Sequence, residues 1–287
     1  MANKKTLRRV AAIHDLSGFG KCSLTVALPI LSAAGIETCA LPTALLSTHT
    51  GGIDGYTYLD TTGEMRPFMH HWKSLDIRFD AIYSGFLGSF EQLEIVKDFF
   101  DTFRQKDNLI LVDPVMADNG ELYKIFTPEF AVGMRGLCEK ADIIVPNITE
   151  ATMLLGESYH PGPYTEKYVI DLMKRLCALG PKMVVLTGVN LKPWELGVAT
   201  YERDHHLISF AWAAQVPGYY HGTGDVYASA LLAGLLNECT LARSAEIAVH
   251  YTARSIRRTY EAETDTRFGV NFEQGIPSLL EELELVY

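Results

Sequence analysis

Short apolar runs recur along the first two thirds of the chain, and segments with helical spacing separate most of them. The apolar runs are continuous rather than alternating, and they cover residues 10–13, 38–45, 81–84, 109–112, 143–145 and 183–186. The helical segments cover residues 24–34, 91–103, 128–138, 148–155 and 166–179. Continuous apolar strands that alternate with helices are typical of a parallel sheet covered on both faces. The pattern therefore predicts an α/β fold with a mostly parallel central sheet.

The pattern changes after Val189. Residues 196–201 and 206–210 have the spacing of a strand pair, which we predict to add antiparallel strands at one edge of the sheet. Two long helical patterns follow, over residues 226–236 and 242–260. No linker rich in Pro, Gly or Ser divides the sequence and no internal repeat is present, so we expect a single domain over residues 1–287.

Composition and charge narrow the class of protein. The chain has 287 residues and a net charge of −10, which disfavours nucleic acids and anionic membranes as partners. Its five cysteines are widely spaced, which indicates reduced thiols rather than disulfides or a zinc site. The apolar run behind the basic N-terminus is interrupted at His14 and Asp15, too soon for a signal peptide, and no run reaches the roughly 18 apolar residues of a membrane span. We therefore expect a cytoplasmic protein.

The most informative stretch is His221-Gly222-Thr223-Gly224-Asp225, directly before the helical run over residues 226–236. Glycines allow a tight turn whose N–H groups approach a ligand, and the N-terminus of the following helix attracts an anion. Asp225 adds a proton acceptor beside this anion hole. The combination suits removal of a proton from a hydroxyl group while the N–H groups hold a phosphoryl group.

A set of oxygen-bearing side chains follows two neighbouring strands, at the carboxyl ends where open α/β sheets bind their ligands. The set is Asp113, Asp118, Asn147 and Glu150. Carboxylates combined with phosphate and water ligands suit Mg²⁺ bound to a nucleotide. Asn147 and Glu150 also have the spacing of a capping box at the start of a helix, so both interpretations stay open.

Three further places extend this predicted face of the sheet. Thr187 and Gly188 end the sixth strand, where the hydroxyl group either reaches a phosphate or only closes a turn. The first three strands supply a second set, which we assign to the substrate: Asp15, Ser17, His49, Thr50 and Phe86. Asp15 offers an acceptor for a ring heteroatom or hydroxyl group. A histidine such as His14 or His49 either contacts a ring or is structural, and Phe86 either lines an aromatic pocket or packs in the core.

With these motifs assembled, the chain resembles the ribokinase superfamily over nearly its whole length. Within it, the chain resembles the pyridoxal kinases first and the hydroxymethylpyrimidine kinases next. Gly222-Thr223-Gly224-Asp225 resembles the superfamily's anion hole and catalytic base. The segments around Asp113 and Asn147 resemble its two Mg–ATP motifs, and Thr187 resembles its phosphate-contacting threonine. Thr48-His49-Thr50-Gly51 resembles the substrate segment of the pyridoxal kinases.

The resemblance implies a ribokinase-like three-layer αβα sandwich that transfers the γ-phosphoryl group of ATP to the 5′-hydroxymethyl group of a pyridoxal-type ring. It implies that Asp225 is the base and that Asp113 and Glu150 hold Mg²⁺, partly through water. It also implies ATP and a B6 vitamer as small-molecule partners, and a homodimer. It leaves open a requirement for a monovalent cation such as K⁺.

Departures from the pattern keep other functions open. Thr48 stands where pyridoxal kinases carry Asn, and the first loop, His14-Asp15-Leu16-Ser17-Gly18, is more similar to that of the hydroxymethylpyrimidine kinases. Those enzymes typically carry Cys where this chain has Asp225, which favours the pyridoxal-type substrate. A sugar kinase is disfavoured because no β-lid insertion is evident. A non-catalytic nucleotide- or vitamin-binding protein is disfavoured because it needs no base.

Overall fold

The computed structural model describes residues 7–285, whose strands and helices alternate along the first two thirds of the chain. The strands are β1 (Arg8–Phe19), β2 (Ile36–Thr48), β3 (Tyr58–Asp60), β4 (Ala81–Ser84), β5 (Leu109–Val112), β6 (Ala117–Asp118), β7 (Glu121–Leu122), β8 (Ile143–Ile144), β9 (Met183–Val189), β10 (Glu195–Glu202) and β11 (Leu207–Ala214). The helices are α1 (Leu24–Ala33), α2 (Thr62–Ser74), α3 (Phe90–Phe103), α4 (Pro128–Cys138), α5 (Ile148–Leu155), α6 (Glu166–Ala178), α7 (Thr223–Leu236), α8 (Leu241–Glu261) and α9 (Ile276–Glu282).

Nine of these strands form one sheet in the order β11-β10-β9-β8-β5-β4-β1-β2-β3. The strands from β9 to β2 in this order pair in parallel. At one edge β10 and β11 are antiparallel, and at the other edge β3 is antiparallel to β2. The prediction of a mostly parallel sheet with antiparallel edge strands is therefore confirmed.

Helices cover both faces of this sheet and divide the apolar interior in two. One buried cluster joins the sheet to α2 through α6, and the other joins it to α1, α7, α8 and α9. Consecutive side chains of β1 lie on opposite faces of the sheet: Val10 belongs to the second cluster and Ala11 to the first. Since both are fully buried, the continuous apolar run follows from burial on two faces.

The first two strands are longer than their apolar runs predict. β1 pairs with β4 only as far as Ile13 opposite Ser84, but its pairing with β2 continues to Phe19 opposite Thr48. Residues 16–19 of β1 and 45–48 of β2 thus leave the body of the sheet as a ribbon, bordered by the short β3. The prediction that polar residues from His14 onward form a loop is wrong, because backbone pairing does not require apolar side chains.

Other elements were not predicted, because few of their side chains are buried. Helix α2 contains Pro67 and buries only Met65 and Met69, so its apolar periodicity is weak. β6 and β7, of two residues each, form a hairpin between residues 112 and 128, where the sequence pattern predicts no strand or helix. His206, predicted as a strand residue, lies in the β10–β11 turn with a φ of 53°. None of the helices between residues 7 and 285 combines the length and apolar character needed to cross a bilayer.

Prediction for the core. Phe99 is fully buried, and its ring centroid lies 4.5 Å from that of Phe103 and 6.1 Å from that of Phe79. We expect Phe99→Ala to lower the free energy of unfolding by about 3–5 kcal/mol, because the remaining rings cannot close the cavity. Val132→Ala on α4, where the side chain is 72% exposed, should change it by less than about 0.5 kcal/mol. Urea denaturation of both variants measures the difference, and similar losses in the two would contradict this description of the core.

Candidate functional site

The glycine loop is formed by a left-handed residue that starts a helix. Gly222 has a φ of 73° and precedes α7, so Thr223, Gly224 and Asp225 form the first helical turn. A Cβ atom on Gly222 would lie 1.9 Å from the carbonyl oxygen of Lys21. The prediction that the helix begins at Val226 is therefore three residues late. Because first-turn N–H groups have no partner within their own helix, they remain available to an anion.

Asp225 lies half-buried in this first turn, with its carboxyl group close to two other segments. The pKa of Asp225 is raised to about 7, mainly by burial and in smaller part by the charge of Asp15, against a hydrogen bond from the Ser23 backbone that lowers it. A carboxyl group with a pKa near 7 exchanges protons readily at neutral pH. Asp225 is thus suited to act as a general base.

A second carboxyl group comes from β1, at the irregularity in its pairing between His14 and Leu16. Asp15 is 6% exposed and accepts hydrogen bonds from the Ser23 hydroxyl group and, at 3.2 Å, from the Ser17 hydroxyl group. Burial raises the pKa of Asp15, and the two serine hydroxyl groups oppose the shift. Ser17 is itself fully buried. Asp15 and Ser17, both predicted on the substrate side, therefore lie next to Asp225.

Asp113 connects Asp225 to the acidic residues that follow the neighbouring strands. It follows β5 and is 6% exposed. Burial, followed by the charges of Glu150 and Asp225, raises the pKa of Asp113 well above its usual range. Because charges influence one another's ionisation mainly at short range, the effect of both on Asp113 indicates that the three carboxyl groups are neighbours. The structure thus brings Asp225 to the same rim of the sheet as Glu150.

Asn147 and Glu150 form the capping box that their spacing allows. The Asn147 side chain accepts from the Glu150 backbone N–H at 2.8 Å, and Glu150 Oε2 accepts from the Asn147 backbone N–H at 2.9 Å. Glu150 Oε1 accepts from the Met116 backbone N–H at 3.1 Å, and Asn147 Nδ2 donates to the Ala117 carbonyl group at 2.8 Å. Burial raises the pKa of Glu150 to about 8 against these backbone hydrogen bonds. The cap therefore also anchors the segment that leads into β6.

Asp118, Thr187 and Gly188 surround this capped helix start. Asp118 Oδ2 accepts a hydrogen bond from the Tyr219 hydroxyl group at 3.0 Å. Thr187 lies beside Asn147 in an isolated parallel bridge, and its hydroxyl group lies 3.4 Å from the Pro146 carbonyl oxygen. β9 continues through both Thr187 and Gly188 to Val189, one residue beyond the strand end predicted from the sequence. The exposed Gly188 has a φ of 70°.

His49 and Thr50, in the loop that follows β2, differ in their exposure to solvent. His49 is 7% exposed, its Nδ1 accepts from the Gly51 backbone N–H at 3.1 Å, and its Nε2 is hydrogen-bonded to the Arg267 carbonyl group. Both ring nitrogens of His49 are therefore engaged by the backbone, as the structural interpretation predicts. Thr50 is exposed and free to contact a ligand.

The remaining aromatic candidates pack inward. Phe86 is half-buried against the core, and its ring centroid lies 5.8 Å from that of Phe126. His14 is fully buried, and its ring meets the edge of Tyr83 at a centroid distance of 4.2 Å. Burial lowers the pKa of His14 to about 3. His14 is therefore a neutral core residue behind the site. It has no exposed surface with which to contact the ring of a substrate.

Three contributions to the site were not predicted from the sequence. They are those of Ser23 and Tyr219, and the contacts that the His221 ring makes with neighbouring rings. Ser23, with a φ of 50°, precedes α1 and reaches both aspartates. No local sequence pattern indicates this role of Ser23. Asp225 is distant in sequence, and Asp15 lies in a strand whose pairing is irregular at that point. The aromatic run Tyr219-Tyr220-His221 directly before Gly222 is a signal that sequence reasoning could have used.

The chain is similar in sequence and fold to several known proteins. A family model described as phosphomethylpyrimidine kinase matches residues 28–269. A crystal structure of a "putative phosphomethylpyrimidine kinase" from Bacteroides thetaiotaomicron, in a form with pyridoxal, is similar at 39% identity with a TM-score of 0.91, covering 96% of this chain and 96% of that chain. The crystal structure of pyridoxal kinase from Lactobacillus plantarum is similar at 30% identity with a TM-score of 0.88, covering 96% and 98%. Pyridoxal kinase from Arabidopsis thaliana is 29% identical over 259 residues, which are 86% of this chain and 80% of that protein.

Because these similarities extend over nearly the whole chain, they include the sheet as well as the loops at its rim, and both are those of a ribokinase-like kinase. More narrowly, the chain belongs to the phosphomethylpyrimidine kinase family.

Prediction for the glycine loop. We expect Gly222→Ala to lower the free energy of unfolding by more than about 2 kcal/mol, because a left-handed residue and a backbone clash are both penalised. Gly224 provides a matched control, since its φ is not in the left-handed region and a Cβ atom there meets nothing within 4 Å. Gly224→Ala should be neutral or stabilising by up to about 1 kcal/mol, because alanine favours the helix. Urea denaturation compares them, and equal effects would refute this geometry.

Proposed function

We propose that this protein transfers the γ-phosphoryl group of ATP to the 5′-hydroxymethyl group of pyridoxal, pyridoxine or pyridoxamine. The main support is the position of Asp225, in the first turn of α7 and within electrostatic reach of both Asp15 and Asp113. One carboxyl group thus stands between the proposed substrate side and the proposed nucleotide side. The similar Bacteroides protein, crystallised with pyridoxal, supports the B6 ring as the acceptor.

The proposed chemistry assigns separate tasks to Asp225 and the backbone before it. Asp225 takes the proton of the hydroxymethyl group as the hydroxymethyl oxygen attacks the γ-phosphorus atom, and the bond from that phosphorus to the bridging oxygen of the β-phosphate breaks to release ADP. The N–H groups of Gly222, Thr223 and Gly224 hold the transferring phosphoryl group at the positive end of α7. Transfer of this kind requires positioning and charge stabilisation rather than covalent help from the protein.

The donor set on the nucleotide side fits Mg²⁺ bound mainly through phosphate and water. Among residues 7–285, no group of three His, Cys, Asp or Glu side chains is arranged to hold a metal ion by itself. Both Glu150 oxygens already accept backbone hydrogen bonds, whereas the Asp113 carboxylate accepts none within the described part of the chain. We therefore propose that Asp113 faces the ion directly or through one water, and Glu150 at longer range. When bound, Mg²⁺ neutralises charge between the β- and γ-phosphates.

The other predicted ligand contacts remain proposals in the same scheme. Asp118, Asn147, Thr187 and Gly188 border the nucleotide side, and Asn147 acts there through the cap and hairpin it anchors. Asp15 and Thr50 are proposed to contact the vitamer. Ser17 acts by holding Asp15, and His49 by fixing the Thr50 loop. Phe86 would support the ring site from the core side.

A hydroxymethylpyrimidine kinase is the second candidate, because the matching family model carries that description. Asp225 argues against it, since those enzymes typically carry Cys there.

Several further expectations from the sequence stay predictions. They are the single domain over residues 1–287, the homodimer, the cytoplasmic location, the lack of nucleic-acid and membrane partners, and the open K⁺ requirement.

Prediction for substrate choice. With ATP and Mg²⁺, we expect turnover with pyridoxal, pyridoxine or pyridoxamine, and little with hydroxymethylpyrimidine or ribose. A coupled ADP assay measures the rates, and mass spectrometry identifies the 5′-phosphate. Turnover of hydroxymethylpyrimidine alone would establish the second candidate. Binding of a vitamer and nucleotide with no turnover of any acceptor would instead indicate a non-catalytic binding protein.

Prediction for the base. We expect Asp225→Asn to lower kcat about 10²–10⁴-fold while ATP still binds, because only the proton acceptor is lost. In the wild type, kcat/KM should fall about tenfold per pH unit below about pH 7 and level off above it, since the free carboxyl group has a pKa of about 7 and must be unprotonated to act. Asp107→Asn, at an exposed position, is the control. Near-normal turnover of Asp225→Asn would overturn the assignment.

A further inference from the structure

Residues 219–221, which we call the strap, lie directly before the glycine loop and contact both sides of the site. At one end the Tyr219 hydroxyl group donates to Asp118 Oδ2 at 3.0 Å. The Tyr219 ring meets the His221 ring nearly perpendicularly, with centroids 5.0 Å apart. The next residue is Gly222, so any displacement of the strap also moves the anion hole.

At its other end the strap contacts the substrate loop. The rings of His221 and His49 lie 5.2 Å apart at an angle of 38°. A Cβ atom on Gly51 would lie 2.5 Å from His221 Nδ1, so this approach requires glycine at position 51. His49 is itself held by the Arg267 carbonyl group and the Gly51 N–H. His221 therefore rests on a loop whose position is already fixed.

The Asp118 end is equally well fixed, by the start of α5. Asn147 Nδ2 donates to the Ala117 carbonyl group at 2.8 Å, and the Gly120 backbone N–H donates to Thr149 Oγ1 at 3.0 Å. These bonds hold the β6–β7 hairpin against the helix that carries Glu150. A continuous series of contacts thus runs from this helix through Asp118 and the strap to His49.

We propose that Tyr219 and His221 are positioning residues that couple the nucleotide side to the vitamer side, so that filling one side tightens binding on the other. This inference rests on the proposed kinase function. Asp118 lies on the proposed nucleotide side, where the charge of Mg–ATP would act on it. Tyr219 transmits a change in that carboxylate through the strap to the loop that carries His49. Coupling between two binding sites is reciprocal and typically about 5- to 150-fold in affinity.

The test compares two dissociation constants for pyridoxine, which has no aldehyde to react with lysines. Isothermal calorimetry measures them without nucleotide and with a saturating non-hydrolysable ATP analogue plus Mg²⁺. In the wild type we expect the nucleotide analogue to tighten pyridoxine binding at least about fivefold. Tyr219→Phe, which removes one hydroxyl group and leaves the ring, should reduce that ratio toward one.

Tyr220→Phe is the matched control, because the Tyr220 hydroxyl group donates to Pro217 within its own loop. It should keep the wild-type ratio. His221→Ala should lose the ratio as Tyr219→Phe does. If that variant fails to fold, Tyr219→Phe alone decides the question.

The outcomes separate this inference from the proposed function. A wild-type ratio near one, or a full ratio in Tyr219→Phe, refutes the coupling while leaving the kinase activity intact. A Tyr219→Phe variant in which both constants weaken by the same factor has only a structural defect, which also refutes it. A wild type that binds neither pyridoxine nor the nucleotide analogue overturns the proposed function itself.

Discussion

The whole site depends on gathering four carboxyl groups at one poorly hydrated rim of the sheet. Asp15, Asp113, Glu150 and Asp225 all have raised pKa values, and burial is the largest cause in each. Such crowding is unfavourable for the empty protein, because each charge loses water and repels its neighbours. It would become favourable on the proposed binding of Mg²⁺ with an anionic nucleotide. Serine hydroxyl groups hold the Asp15 carboxyl group in place, and backbone N–H groups hold that of Glu150.

The sequence predicts this fold where burial is two-sided and fails where it is not. Strands such as Ala81–Ser84 and Leu109–Val112 are almost entirely buried and were placed to the residue. The continuation of β1 to Phe19 was not predicted, because a backbone ladder with polar side chains leaves no hydrophobic period. Helix α2, with Pro67 inside it, was missed for a related reason. Only Met65 and Met69 of this helix are buried, and Trp72 packs half-buried against the core.

For the site, the motifs predicted which residues meet but not how each is used. The spacing of Asn147 and Glu150 allowed either a cap or a ligand contact, and the structure shows the cap with both Glu150 oxygens occupied. His49 was assigned to the substrate, yet its nitrogens bind the backbone. Such differences depend on contacts between distant segments, as with Arg267 and His49. A single sequence carries no local signal for them.

The ribbon has a thermodynamic consequence of its own. Beyond Ile13, β1 is hydrogen-bonded on one side only, to a partner that itself borders a three-residue strand. Narrow sheets of this kind open at a lower free energy than the buried strands beside them. The proposed vitamer side of the site can therefore open and re-form while the sheet and the capped start of α5 stay folded. On warming, we expect affinity for the vitamer to disappear before global unfolding, and binding on the proposed nucleotide side to persist longer.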